Sequence, residues 1–128
     1  MQYLQFKIFE PHGKLVKHGL STRGGGVSSG YLESLNLNLL RDENEKIENV
    51  MENYRRFCTA IGVDLNKLLI AYQEHTDKIF RVFEKNGKIF TKKNEGEVAE
   101  LNNLEFGLEN AVSGVDGFIT NIPGLPLV

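Results

Sequence analysis

The sequence predicts an α+β fold, with mixed β-sheets and flanking helices. Three observations carry that expectation. Ser34 to Leu39 alternates strictly between apolar and polar residues, the period of a strand. Ile47, Val50, Met51, Tyr54, Cys58 and Ile61 trace one stripe at helical spacing. Asn86-Gly87 sits between two strand-like runs, the strongest short signal for a hairpin.

The elements follow in order. Tyr3 to Phe9 places Leu4, Phe6 and Ile8 on one face and reads as a half-buried strand. Pro11-His12-Gly13-Lys14 is a turn signal, and Leu15 to Leu20 reads as the returning strand. Ser21 to Gly30 is a loop with four glycines in ten residues. In the strand expected at Ser34 to Leu39, Leu35, Leu37 and Leu39 face one way and Asn36 and Asn38 the other. Asparagine is a poor strand former, so that face is either solvated or lies over a polar site.

Asp42 and Glu45 have the spacing of a capping box, and Gly62 is a suitable stop. The predicted helix spans about 43–61, with its stripe packed on a sheet. Leu68 to Tyr72 is expected to be a buried strand, followed by a polar break at Gln73 to Asp77. Lys78 to Glu84 and Lys88 to Thr91 form the hairpin strands. A short helix near Val98 to Asn103, a strand at Gly117 to Thr120 and a turn at Pro123-Gly124 complete the reading. Leu125 to Val128 is apolar, like the opening of a strand. It suggests that residues 1–128 are the N-terminal part of one larger domain.

Composition narrows the function. The 128-residue chain carries 15 basic and 17 acidic residues, a net charge of −2. That balance speaks against broad attraction to nucleic acid or an anionic membrane, so neither is an expected partner. The single cysteine, Cys58, forbids an internal disulfide and fits a reducing, cytoplasmic setting. The N-terminus has no signal-peptide pattern, and no apolar run approaches the roughly 20 residues of a membrane span.

Candidate chemistry is sparse. The glycine-rich loop is neither a P-loop nor a dinucleotide fingerprint. Its backbone N–H groups could still converge on an anion, with Arg23 adding a planar fork of donors and Ser21, Thr22 and Ser28 hydroxyls. The plainer alternative is a flexible loop with a solvated arginine. His75, in Gln73-Glu74-His75, follows an apolar strand and suits a metal or a base; a lone histidine is more often structural. His12 and His18 match no zinc spacing. Cys58 on the helix stripe reads as a small core residue. Asp116-Gly117 reads as a turn.

Taken together and in order, four pieces resemble one family. They are His18 to Leu39 (HGLSTRGGGVSSGYLESLNLNL), the helix segment Val50 to Arg56, Gln73-Glu74-His75, and Asp116-Gly117-Phe118-Ile119-Thr120 with Pro123 to Leu127 behind it. The set is similar to the multicopper polyphenol oxidase, or laccase-like, family, which includes purine nucleoside phosphorylases and proteins described as peptidoglycan editing factors. The resemblance implies a laccase-like domain and zinc-dependent phosphorolysis of adenosine or inosine, with adenosine deamination as an associated activity. Purine nucleoside and phosphate are the implied partners.

It also implies residue roles: His75 as a zinc ligand, Arg23 and Asn36 as catalytic groups, and Ser21, Arg23, Gly25, Ser28, Asn36 and Asn38 as substrate-binding groups. Arg23, Asn36 and His75 are expected to line one cleft. Copper is the less favoured metal, because multicopper sites want several His and Cys ligands. The family's further ligands lie in Ala-Asp-Cys and His-Ala-Gly-Trp segments, and this sequence contains neither. They are expected beyond Val128, which would leave this chain an inactive piece. Departures include Arg41-Asp42-Glu43 where Gly-Asp-Asp is common, and Glu74 where a small or apolar residue is common. The alternatives are a non-catalytic binding or structural fragment and, less favoured, a polyphenol oxidase.

Overall fold

The computed structural model describes residues 1–39, 42–92, 98–101 and 111–128. They form two compact units, 1–65 and 66–128, each taken by itself below. The mixture of one long helix and several sheets is the expected α+β class.

In the first unit, β1 (Tyr3–Leu4) pairs antiparallel with β2 (Leu20–Ser21). Both are far shorter than the strands predicted over 3–9 and 15–20. The reason is local. Lys7–His12, with Pro11 inside it, winds as a 3-10 helix. The Phe6 N–H, which would have fed a ladder, donates instead to His18 Nε2 at 2.7 Å. The Leu15 and Val16 N–H groups both close turns onto His12 O. His18 is stacked on the Phe6 ring and meets Phe9 edge-on, so it serves packing here.

The segment Ser34 to Leu39 is not a strand. Its predicted alternation survives in part, since Leu35 and Leu39 are buried and Asn38 is exposed. Among the described residues, however, no neighbouring strand supplies a ladder. The Ser34 and Leu35 N–H groups both donate to Arg23 O, at 3.1 and 2.8 Å. Buried backbone groups need partners, and this segment takes its own from a loop.

The helix α1 (Ile47–Ile61) begins four residues later than predicted. Asp42 does not cap it. Its carboxylate accepts from the Asn44 N–H at 2.9 Å and from the Tyr31 hydroxyl at 2.5 Å. Those bonds hold the Asp42 carboxyl below its usual range, with the Tyr31 bond the largest cause. The C-terminus is as expected. Gly62 adopts φ 72° and its N–H reaches Cys58 O and Thr59 O, a left-handed cap open to glycine.

Val50, Tyr54, Phe57 and Cys58 are buried, and each buried side chain of this kind contributes about 1.5–3 kcal/mol. Phe57 extends the predicted stripe, while Ile47 is 38% exposed. Within the first unit, the stripe meets one short strand and a loop. Its Phe57 ring meets Tyr3 of the short β1 strand, and its middle turn is bonded to the glycine-rich loop. Burial lifts the Cys58 thiol to about 11, with Asp64 adding to the shift, so the thiol is protonated at neutral pH.

In the second unit, β3 (Ile70–Tyr72) pairs parallel with β7 (Ala111–Ser113). Residues 126–128 run along the same β3, with Ala71 N–H donating to Val128 O at 2.7 Å. The other sheet has the order β6-β5-β4-β8. Its strands are β4 (Ile79–Lys85), β5 (Lys88–Lys92), β6 (Val98–Leu101) and β8 (Gly117–Thr120). The hairpin turn is as predicted, with Asn86 at φ 54° and Gly87 at φ 74°, values a type I′ turn requires. Where a short helix was expected from Val98, the chain forms β6, paired antiparallel with β5; Asn102 and Asn103 lie outside the described residues. Leu68, Leu69, Ile70, Phe80, Val82 and Val115 form this unit's core. Among the described residues, no helix is long and apolar enough to cross a membrane.

Candidate functional site

In the first unit, the glycine-rich loop does bring backbone N–H groups together. They converge on the protein's own atoms. Gly25 and Gly26 N–H both donate to Ser34 Oγ, at 3.0 and 3.1 Å. Val27 N–H donates to Asn53 Oδ1 at 2.8 Å, and Ser28 N–H to Ser34 O at 3.0 Å. The nest that could have held an anion is thus filled from inside by Ser34 and Asn53.

Asn53 is fully buried on the apolar face of α1. Its amide nitrogen donates to Ser28 Oγ at 2.9 Å and to Asn36 O at 2.8 Å. With the Val27 bond, one side chain ties the loop, the 34–39 segment and the helix into one block. Sequence reasoning met Asn53 only within the family-like helix segment; an asparagine inside an apolar stripe was the available signal. Glu45 closes the network, accepting from Asn49 at 2.8 Å and Asn36 at 3.2 Å. Its carboxyl is held below the usual range by the Ser28 hydroxyl first, then by Asn49 and Asn36.

Among the predicted site residues of this unit, Gly25, Ser28 and Asn36 therefore belong to one internal network. Asn36 Oδ1 also accepts from the Asn38 N–H at 3.0 Å. Arg23 is exposed. Its Nε donates to Glu33 O at 2.5 Å and its Nη2 to Tyr31 O at 3.0 Å. The guanidinium braces the neighbouring turn while its remaining face meets solvent. Ser21 is half-buried in β2. On the other side of the loop, Arg56 donates to Gly25 O at 3.3 Å and to Glu52 at 2.8 Å. Arg55 and Arg56 hold the Glu52 carboxyl at about 2.

In the second unit, His75 is exposed and adopts φ 58°, a left-handed conformation uncommon outside glycine. Asp116 holds it there. Asp116 Oδ1 accepts from the Glu74 N–H at 2.7 Å and the His75 N–H at 2.6 Å. Oδ2 accepts from the Thr76 N–H at 2.9 Å and from the Thr76 hydroxyl. A strained residue persists where its surroundings over-determine it, and here one carboxylate fixes three successive residues. The Asp116-Gly117 pair is more than the turn the sequence suggested. The carboxylate is the support of the His75 loop, a role that a contact spanning 41 residues conceals from any local pattern.

These bonds set a pH dependence. They lower the Asp116 carboxyl from its ordinary 3.8, with the Thr76 hydroxyl the largest cause. A lowered carboxylate stabilises the folded loop above the unfolded value and loses that effect as pH falls through the folded value. The loop should stay closed at neutral pH and open only below 3.8. Amide exchange of Glu74, His75 and Thr76 across pH checks this, and opening near pH 5 would contradict it. In Asp116→Ala, the same three amides should exchange freely at neutral pH while the β4–β5 hairpin stays protected.

The donor set for a metal is small. Glu74 faces Lys78 at 3.5 Å, and both Asp116 oxygens are taken by loop donors. Among the described residues, no group of three or more His, Cys, Asp or Glu is placed to hold a metal ion. The second unit has one imidazole, His75, which falls short of the three or four protein ligands of a zinc centre.

A family model described as multi-copper polyphenol oxidoreductase laccase matches residues 17–128. No curated protein and no solved structure gives a match.

Proposed function

The chain belongs to the multi-copper polyphenol oxidoreductase laccase family, and from that membership we propose that it carries part of a zinc-dependent purine nucleoside phosphorylase site. The match runs through Arg23, Asn36 and His75, and it is the observation that carries the reading. In phosphorolysis a phosphate oxygen attacks the ribose carbon as the bond to the base breaks. The reaction needs a fixed cation for the phosphate. Arg23 supplies it, since its solvent-facing donors match a phosphate edge. Gly25, Ser28 and Asn36 hold the loop that presents Arg23, while Ser21 and Asn38 offer polar groups to ribose or base. His75 is assigned the metal-ligand role, its backbone conformation held by Asp116. A cytoplasmic setting accords with the single buried, protonated Cys58.

The ligand count gives a sharp expectation. One imidazole does not hold zinc against water, so the 128-residue chain should retain little zinc after dialysis and release no hypoxanthine from inosine with phosphate present. A chimera joined to a segment bearing the family's Cys and His ligands should retain one zinc and turn over inosine. Histidine-to-alanine substitution at His75 should then lower bound zinc and turnover by about 10- to 100-fold or more. Stoichiometric zinc in the chain alone would overturn the ligand count. A zinc-loaded chimera that leaves nucleosides intact would overturn the substrate, and oxidation of a phenol by its copper form would favour the polyphenol oxidase reading.

A further inference from the structure

The four-stranded sheet has two unlike faces. One carries Phe80, Val82 and Thr91, all buried. Strand alternation sends the residues between them outward. In β4 these are Arg81, Phe83 and Lys85; in β5 they are Lys88, Phe90 and Lys92. The pairing places Arg81 opposite Lys92, Phe83 opposite Phe90, and Lys85 opposite Lys88. All four cations are exposed.

The two phenylalanine rings are stacked, 5.6 Å apart and only half-buried, and Arg81 lies 5.6 Å over the Phe83 ring. Like charges directly opposite each other destabilise a sheet, and this face contains two such pairs side by side with the aromatic pair. Among the described residues, Glu100 is the one carboxylate these strands place on the face, and it meets Lys88 at 2.9 Å. An excess of cations around partly exposed aromatic rings is the signature of a surface that meets an anion with flat rings.

We propose that this outward face is a docking surface for single-stranded nucleic acid. Bases stack on Phe83 and Phe90, and phosphates lie at the Arg81–Lys92 and Lys85–Lys88 pairs. Charge complementarity selects a polyanion, and relieves the two like-charge pairs. The aromatic pair between them selects a nucleic acid over an acidic peptide, which would leave the rings unused. The basic pairs are four residues apart along β4, about 13 Å, which leaves the rings midway between two phosphate positions. The net charge of −2 for the whole chain opposes binding over its general surface and is compatible with four cations concentrated on one face.

The test is fluorescence anisotropy of a labelled decauridylate titrated with the full chain at about 50 and about 200 mM salt. Binding should weaken as salt rises. Arg81→Ala combined with Lys92→Ala should flatten the log–log salt slope by about 0.7 for each phosphate that is no longer neutralised. Phe83→Leu or Phe90→Leu should weaken binding about tenfold with the slope unchanged. The exposed cation variants keep the test decisive if a leucine variant fails to fold, which circular dichroism reports. Absence of binding at the lower salt would overturn the proposal. So would binding indifferent to the cation variants, or equal affinity for polyglutamate, which would make the face a site for acidic protein.

Discussion

Replacing Asn53 with alanine should destabilise the first unit by about 3–5 kcal/mol, a large share of the roughly 5–15 kcal/mol that holds a typical domain together. The side chain is fully buried and meets three partners: the Val27 N–H, Ser28 Oγ and Asn36 O. Removing it leaves a backbone donor and a backbone acceptor without partners, and each such buried group costs about 1–3 kcal/mol. Leucine should not rescue the loss, because its shape fills the space but pairs neither group. Urea unfolding measures the effect. A shift below about 1 kcal/mol would mean that water replaces the amide, and that the loop does not depend on the helix.

Gly26→Ala should cost about 3 kcal/mol or more, for a steric reason. A β-carbon at this position would lie 2.0 Å from Ser34 O and 2.5 Å from Asn53 Oδ1. Neither neighbour gives way readily: one is backbone, and the other is held by the network just described. Gly24→Ala is the control. Its β-carbon would meet nothing within 4 Å, so its effect should stay within about 0.5 kcal/mol. Unfolding midpoints of the two variants separate a loop that needs glycine for close approach from one that needs it for flexibility. Equal midpoints would refute the close approach.

The loop shows how far local pattern reaches. Four glycines between two strand-like runs promised converging N–H groups, and the N–H groups do converge. What they converge on is Ser34 and Asn53, 9 and 26 residues away in sequence. The capping-box spacing at Asp42 misled for a related reason. Aspartate bonds whichever donor is nearest, and here Asn44 and Tyr31 reached it before the helix began. The strand predicted at Ser34 to Leu39 had the right period but, among the described residues, no ladder partner: its backbone groups bond to Arg23 O, the Ser28 N–H and the Asn36 and Asn53 side chains instead.

Sequence alone determined the features whose physics is local. The helix stripe and its Gly62 stop depend on residues within a few turns of one another. The Asn86-Gly87 hairpin needs only two residues that tolerate positive φ. The ordered motif set was enough to identify the family, since matching it requires residue types and order, not contacts. Tertiary structure decided the rest. It put Asn53 under the glycine-rich loop and brought Asp116 to the His75 loop across 41 residues. It also aligned four cations around two phenylalanines on one sheet face. Each of these rests on polar or aromatic side chains from distant segments. Burial makes such groups find partners, but which partner is reached depends on how the backbone has already been packed.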